Sequence, residues 1–277
     1  MDYTLRPRTL GTLLDNTFDI YRGNFWLFVG ISAIPNGIVL LLQLAWMGFG
    51  APIKDPAVLN TSPWESVSVV TGILGWFVTL FVSSIVTAAT TLGVSDVYLD
   101  RPTSIRACFS RIAGKAFRVV YVSFVVGLIV GLGFFLCIIP GIYWLGKYGV
   151  AIPAVVLEDI TGRQALARSS HLTQDAVGRV IVVSLLTSIF AGAMALAAGA
   201  GAAALDSTVL HHSRILTGAA AQEIISTITE ILFGPITAIA LTLVYYDQRV
   251  RKEAFDIEHM MTLMGVPKDL ASGASVS

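Results

Sequence analysis

The chain has 277 residues, of which 55% are hydrophobic and only 13% charged, and its mean hydropathy is +0.76. An ordinary globular domain is about one-quarter charged, so a water-soluble fold is excluded for most of this polypeptide. Its 18 basic and 18 acidic side chains cancel, so the net charge points to no partner; nucleic acid is not expected, because the basic segments read as topology signals and lipid contacts.

Six apolar runs organise the sequence, at roughly 25–48, 67–94, 119–139, 142–157, 180–204 and 224–246. Most exceed the ~20 residues that a helix needs to cross the hydrocarbon layer, and a spanning helix satisfies its own backbone. The pattern predicts an all-α fold. It is a polytopic integral membrane helical bundle with about six transmembrane helices, forming a single membrane domain over 1–252.

Before the first span, Leu10, Leu13, Leu14, Thr17, Phe18 and Tyr21 share one helical face, with Asp15, Asn16, Asp19 and Arg22 opposite. Such a lead does not suit a cleaved signal peptide, and the first span is expected to be retained. Pro35-Asn36 interrupts that span and makes Asn36 a secondary site candidate, since proline frees a carbonyl, although a simple kink is the expected reading. Gly234-Pro235 does the same in the sixth span. Thr79, Ser83, Thr87 and Thr91 recur at four-residue spacing in the second span. Ser123, Gly127 and Gly131 do so in the third, and Ser184, Ser188 and Gly192 in the fifth. Small and hydroxylic residues let helix backbones approach, so packing is expected of all three stripes.

Asp96 and Asp100 end the second span as expected solvated counter-charges for the basic segment that follows. In that segment Ile105, Cys108, Phe109, Ile112 and Ala116 face away from Arg106, Ser110, Arg111, Lys115 and Arg118, and Thr103 or Ser104 supplies a cap. Arg106, Arg111, Lys115 and Arg118 are the expected contacts to anionic lipid headgroups. Pro140-Gly141 is a strong turn signal and divides 119–157 into two short spans, with a re-entrant hairpin as the alternative. A third, weaker amphipathic stretch follows Thr161, where Ala165, Leu166 and Leu172 oppose Arg163, Arg168 and His171. Interfacial helices are thus expected before spans 1, 3 and 5. Beyond the sixth span, Ala254, Ile257, Met261 and Met264 predict one more amphipathic turn in 253–277, ending in a loose tail.

Fifteen of the 18 lysines and arginines fall before the first span, between spans 2 and 3, between 4 and 5, or after the sixth. Lys54 and Arg214 fall on the other side, and Lys147 lies inside a span. Positive charge is retained inside during insertion, so the expectation is a multi-pass cell-membrane protein with both termini cytoplasmic. Cys108 and Cys137 fall at opposite faces and are expected to be free thiols.

Ions within spans are the sharpest candidates. Lys147 lies six residues past Gly141, Glu230 lies in the sixth span, and Glu223 precedes it by one heptad. An unpaired ion at such depth costs ~3 kcal/mol, so Lys147 and Glu230 form a candidate intramembrane pair, with Glu223 secondary. Snorkelling to the headgroups is the competing reading. His171, His211, His212 and His259 are scattered without metal-ligand spacing, and no nucleotide loop or nucleophile elbow is present. No catalytic residue, cofactor or metal is expected. The reading is a non-enzymatic membrane protein that organises lipid or a partner, either another membrane protein or a second copy. The alternative is a small transporter of a lipid or anionic headgroup using Lys147 and Glu230.

Three stretches carry a resemblance: Leu5–Gly11 running on to Tyr21–Phe25, Pro140–Tyr143 running on to Pro153–Glu158, and Leu243–Glu253, which reads Leu-Val-Tyr-Tyr-Asp-Gln-Arg-Val-Arg-Lys-Glu. Together they resemble the bacterial membrane-domain family named after glycerophosphoryl diester phosphodiesterases. That family places Ser-Trp and Gly-x-Phe-Trp after its fourth span, where this chain has Ser169-Ser170 and Asp175-Ala176-Val177-Gly178. The resemblance implies a multi-span helical module of a bacterial membrane with amphipathic lead-in helices. It does not imply the phosphodiesterase reaction, because no hydrolase domain is expected.

Overall fold

A computed structural model describes the backbone of residues 9–50, 64–209 and 215–253, and the side chains of 9–47, 74–201 and 220–253. All ten elements there are helices: α1 (Leu10–Gly23), α2 (Phe25–Gly50), α3 (Trp64–Tyr98), α4 (Ile105–Ala113), α5 (Ala116–Leu136), α6 (Ile138–Tyr148), α7 (Ala151–Glu158), α8 (Gly162–Thr173), α9 (Val177–Val209) and α10 (Ile215–Glu253). Six segments are long and apolar enough to cross a membrane: Phe25–Met47, Leu74–Tyr98, Ala116–Leu136, Ile138–Glu158, Val177–Gly201 and Ala220–Glu253. The chain is a multi-pass helical membrane protein. The amphipathic turn expected over 254–264 and the tail beyond it lie outside the described residues.

The three short helices form where the amphipathic stretches predict them. Thr9 caps α1 by accepting the Thr12 amide at 3.3 Å, and Ser104 rather than Thr103 caps α4 by accepting the Ala107 amide at 3.3 Å. Gln164 closes the start of α8 by accepting the Thr161 amide at 3.0 Å. Each helix buries its apolar stripe: Leu13, Thr17, Ile20 and Tyr21 from α1, Cys108 and Ile112 from α4, Ala165, Ser169, Leu172 and Thr173 from α8. None of the three simply floats on the bundle.

The break between the third and fourth spans falls at Cys137, whose extended backbone (φ −170°) separates α5 from α6. Pro140-Gly141, the expected turn, lies inside the first turn of α6 instead. Proline is tolerated there because the first amides of a helix have no intrahelical acceptor to lose. Gly141 serves packing: a Cβ on Gly133 would sit 2.7 Å from the Gly141 Cα, so the two helices of this hairpin meet backbone to backbone. The fourth span is itself broken at Gly149-Val150, where α6 gives way to the short α7.

α7 divides the interior. Val150 and Ala154 join a core with Leu13, Ile20, Tyr21, Val94, Leu172, Val180, Ile239 and Tyr245. Ala151 and Val155 join a second core with Ile31, Ala88, Leu92, Cys108, Ile112, Val119 and Ala165. Large apolar groups left outside, such as Trp26, Phe117 and Phe135, are more than 80% exposed, an arrangement that a hydrocarbon surround tolerates as a protein core would.

The small-residue stripes behave unevenly. The hydroxyls of Thr79, Ser83, Thr87 and Thr91 donate back to carbonyls of their own helix at 2.8–3.1 Å, and only Thr91 also receives a bond from another span, from Thr242 at 3.3 Å. A Cβ on Gly127, Gly131 or Gly192 would meet nothing within 4 Å, so these glycines are not the expected contact points. The close contacts fall instead at Gly133, Gly141, Gly146 and Gly149, which the stripes do not include and where a neighbouring helix would lie within 3.0 Å of an added Cβ. Spacing finds small residues; only the fold says which of them face a neighbour.

Candidate functional site

The tail of α10 plugs into a socket built from the ends of α3 and α7, from α8, and from the start of α9. This end of the bundle holds most of the described charge, and the charges are arranged in linked pairs. Glu158, at the end of α7, accepts two bonds from Arg168 Nε (2.8 and 2.9 Å) and one from the Tyr245 hydroxyl at 2.6 Å. The other edge of the Arg168 guanidinium donates to Glu253 at 2.7 Å, and Glu253 also accepts from Arg249 one turn earlier at 3.2 Å. Burial works against the Arg168 charge, but its bonds to Glu253 and Glu158 outweigh that and hold it protonated more firmly than a free arginine.

A second knot surrounds Asp247, whose side chain is 2% exposed. Arg179 at 3.2 Å and Arg251 at 2.9 Å neutralise it, and Gln248 donates at 3.2 Å. Next to it Tyr246 shares a 2.7 Å hydrogen bond with Ser95 and stacks on Tyr98 with ring centroids 5.1 Å apart. The Tyr-Tyr-Asp-Gln-Arg-Val-Arg-Lys-Glu run is thus a structural plug, with its polar groups turned inward onto partners.

Outside the Asp247 knot lies a cleft of about 450 Å³ lined by Asp175, Ala176, Gly178, Arg179, Gln248, Arg251 and Lys252. It opens at the N-terminus of α9, where backbone amides lack intrahelical acceptors and the helix dipole is positive. Lys252 is fixed at its rim by Asp175 at 2.9 Å and by the His171 carbonyl at 2.8 Å. A Cβ on Gly178 would meet nothing within 4 Å, so the floor is open. Three cations against two carboxylates, with Arg179 and Arg251 shared by Asp247 and Lys252 held by Asp175, leave one positive charge in excess; with the helix amides and no bulky side chain in the floor, that surplus suits an anion with oxygen acceptors.

The expected site residues are distributed differently. Lys147 and Glu230 do not pair. The Lys147 carbonyl, among the last of α6, accepts from Ser169 at 2.9 Å and from Thr173 at 3.0 Å, which ties it to α8 and the charged end. Its ammonium lies 5.6 Å from the Tyr148 ring. Glu230 is exposed on α10, lying over Gly234. The expectation fails because α6 packs against α5, α8 and α9, whereas α10 packs chiefly against α9, α2, α1 and α3, so the helices that carry the two ions are not neighbours. Asn36 bonds to Ser32 of its own helix, at 3.0 Å to the carbonyl and 3.1 Å to the hydroxyl. α2 and α10 continue through Pro35 and Pro235 without interruption. Glu223 lines a separate groove at the opposite end of the bundle.

Three of the four expected headgroup contacts are already engaged. Arg111 pairs with Asp96 at 2.8 Å, and Lys115 and Arg118 both bind Asp159, at 3.2 and 2.9 Å. Arg106 is exposed and forms no ion pair among the described residues. Asp96 is consequently buried at 4% exposure and not a solvated cap. Asp159 caps α7 in the left-handed conformation (φ 55°), a geometry that Asp tolerates, and this aims its carboxylate at α4–α5. The hydrogen bond from Lys115, then its charge, holds the Asp159 carboxyl below its usual range.

No protein-family model, curated protein or solved structure matches the chain.

Proposed function

We propose that this protein is a non-enzymatic membrane organiser that holds an anionic lipid headgroup at its charged end, which the concentration of basic residues assigns to the cytoplasmic face. The observation that carries this reading is the cleft at the start of α9. Arg179, Arg251 and Lys252 line it beside free helix amides, within reach of the inner headgroup layer. The interfacial helices α1, α4 and α8 surround the same end and would set the depth at which the headgroup sits. The resemblance to the phosphodiesterase-associated membrane-domain family is compatible with this reading, since two of the three stretches that carry it meet where the Tyr245 hydroxyl donates to Glu158. Transport through a Lys147–Glu230 site has no comparable support.

Native mass spectrometry of the protein extracted with its lipids tests the proposal. One acidic lipid should be retained per chain, and Arg251→Gln with Lys252→Gln should release it while Arg106→Gln leaves it bound. Retention of zwitterionic lipid alone, or equal loss from the Arg106→Gln chain, would refute the cleft as the site.

A further inference from the structure

The end of the bundle opposite the charged socket carries a second cavity that the proposed function does not use. It is a groove of about 490 Å³ between α2, α3 and α10, lined by Val39, Leu42, Gln43, Trp46, Met47, Leu74, Gly75, Val78, Thr79 and Glu223. All ten residues belong to spanning segments, near the ends remote from the plug. Leu42, Trp46 and Leu74 are each at least 58% exposed, so the groove opens on the outer surface of the spanning helices.

Among the described residues Glu223 is the one ionisable group of this lining, and no described cation accompanies it. Its carbonyl accepts the Ser226 hydroxyl at 3.0 Å, but its carboxylate has no hydrogen bond or ion pair with any described residue. Thr79 spends its hydroxyl on the Gly75 carbonyl at 3.0 Å, which leaves Gln43 as the other polar group available. A carboxylate in apolar surroundings calls for a cationic partner. Among its described residues the groove therefore has an apolar body, one negative anchor and an opening on the lateral surface of the spanning helices.

We propose that this groove is a binding site for an amphiphilic amine: an alkyl or aryl body lying along Leu42, Trp46, Leu74 and Val78, with its ammonium donating to Glu223 and Gln43. An anionic amphiphile would place its charge against the carboxylate, and a neutral one would leave the carboxylate unpaired.

The test uses the full chain in phosphatidylcholine nanodiscs and radiolabelled dodecylammonium as the probe. Saturable binding of one probe per chain is expected. Glu223→Gln should weaken it about tenfold or more, the worth of a charge-assisted hydrogen bond, while Glu223→Asp should retain most of it. Dodecanol and dodecyl sulfate should compete poorly. Equal affinity in the Glu223→Gln chain, or equal competition by dodecanol, would overturn the proposal. Lys54 and Arg214, the other cations assigned to this end, lie outside the described residues and supply the remaining control. If the probe binds only after both are changed to glutamine, Glu223 serves the chain's own cations and the proposal fails. Thermal unfolding of each variant separates lost binding from lost fold.

Discussion

Removing the Arg168 side chain is the most informative perturbation of the charged socket. The guanidinium is 23% exposed and joins Glu158 and Glu253, at 18% and 24% exposure, from two different helices. Arg168→Met keeps much of the stem volume but leaves two carboxylates half-buried and facing each other. Breaking one partner of such a pair costs about 3–5 kcal/mol when fully buried. With roughly a quarter of each group still solvated, the lower end applies, about 3 kcal/mol, or a folded-to-unfolded ratio reduced more than 100-fold. Reversible unfolding in mixed detergent micelles would measure this. The compensated chain Arg168→Met with Glu158→Gln and Glu253→Gln should recover most of the loss, because no unpaired charge remains. If Arg168→Met unfolds like the unmodified chain, or the triple change is less stable than the single one by the sum of its parts, the linked network does not hold the plug.

Four further outcomes follow from the same geometry. Gly133→Val should disrupt the α5–α6 hairpin, costing about 2 kcal/mol or more in micelle unfolding through overpacking, whereas Gly127→Ala should be neutral or gain up to about 1 kcal/mol, since nothing lies near its Cβ. Cys137 is exposed at the hairpin turn and should react with a membrane-impermeant maleimide added from outside, whereas Cys108 is fully buried. Burial first of all pushes the Cys108 thiol up, so it should stay unlabelled at neutral pH until the protein is unfolded. For Asp159 the folded carboxyl lies below its ordinary 3.8, so its pairing with Lys115 and Arg118 is fully present above that value and lost as pH falls through the depressed one. The difference in midpoint temperature between the unmodified chain and Asp159→Asn should therefore be constant from neutral pH downward and close only below the ordinary value.

Much of the fold is legible in the sequence because hydrocarbon imposes a simple constraint: a spanning segment must be long, apolar and internally hydrogen-bonded. The three short amphipathic helices are legible for a related reason, as apolar residues at helical spacing must find a buried face. The turn before α6 is not, since Pro140 reads equally as a breaker or as a first-turn residue, and the close approach of Gly133 to Gly141 decides between them. The socket is harder still. Arg168 and Glu253 are 85 residues apart in sequence, and Asp96 finds Arg111 only because α3 and α4 fold against each other. Charge at a span end says that a partner is needed, and only the packing of α7, α8 and α10 says which. Glu158 and Asp247 therefore look like ordinary interfacial acids in the sequence, and the ions singled out inside spans, Lys147 and Glu230, occupy separate places.

The central claim is that the cleft at the start of α9 receives an acidic headgroup, and electron cryo-microscopy in nanodiscs containing anionic lipid tests it most directly. The expected map shows phosphate-sized density touching Arg179, Arg251 and Lys252, and none there in discs of purely zwitterionic lipid. An empty cleft in both kinds of disc, or the same density in both, would contradict it.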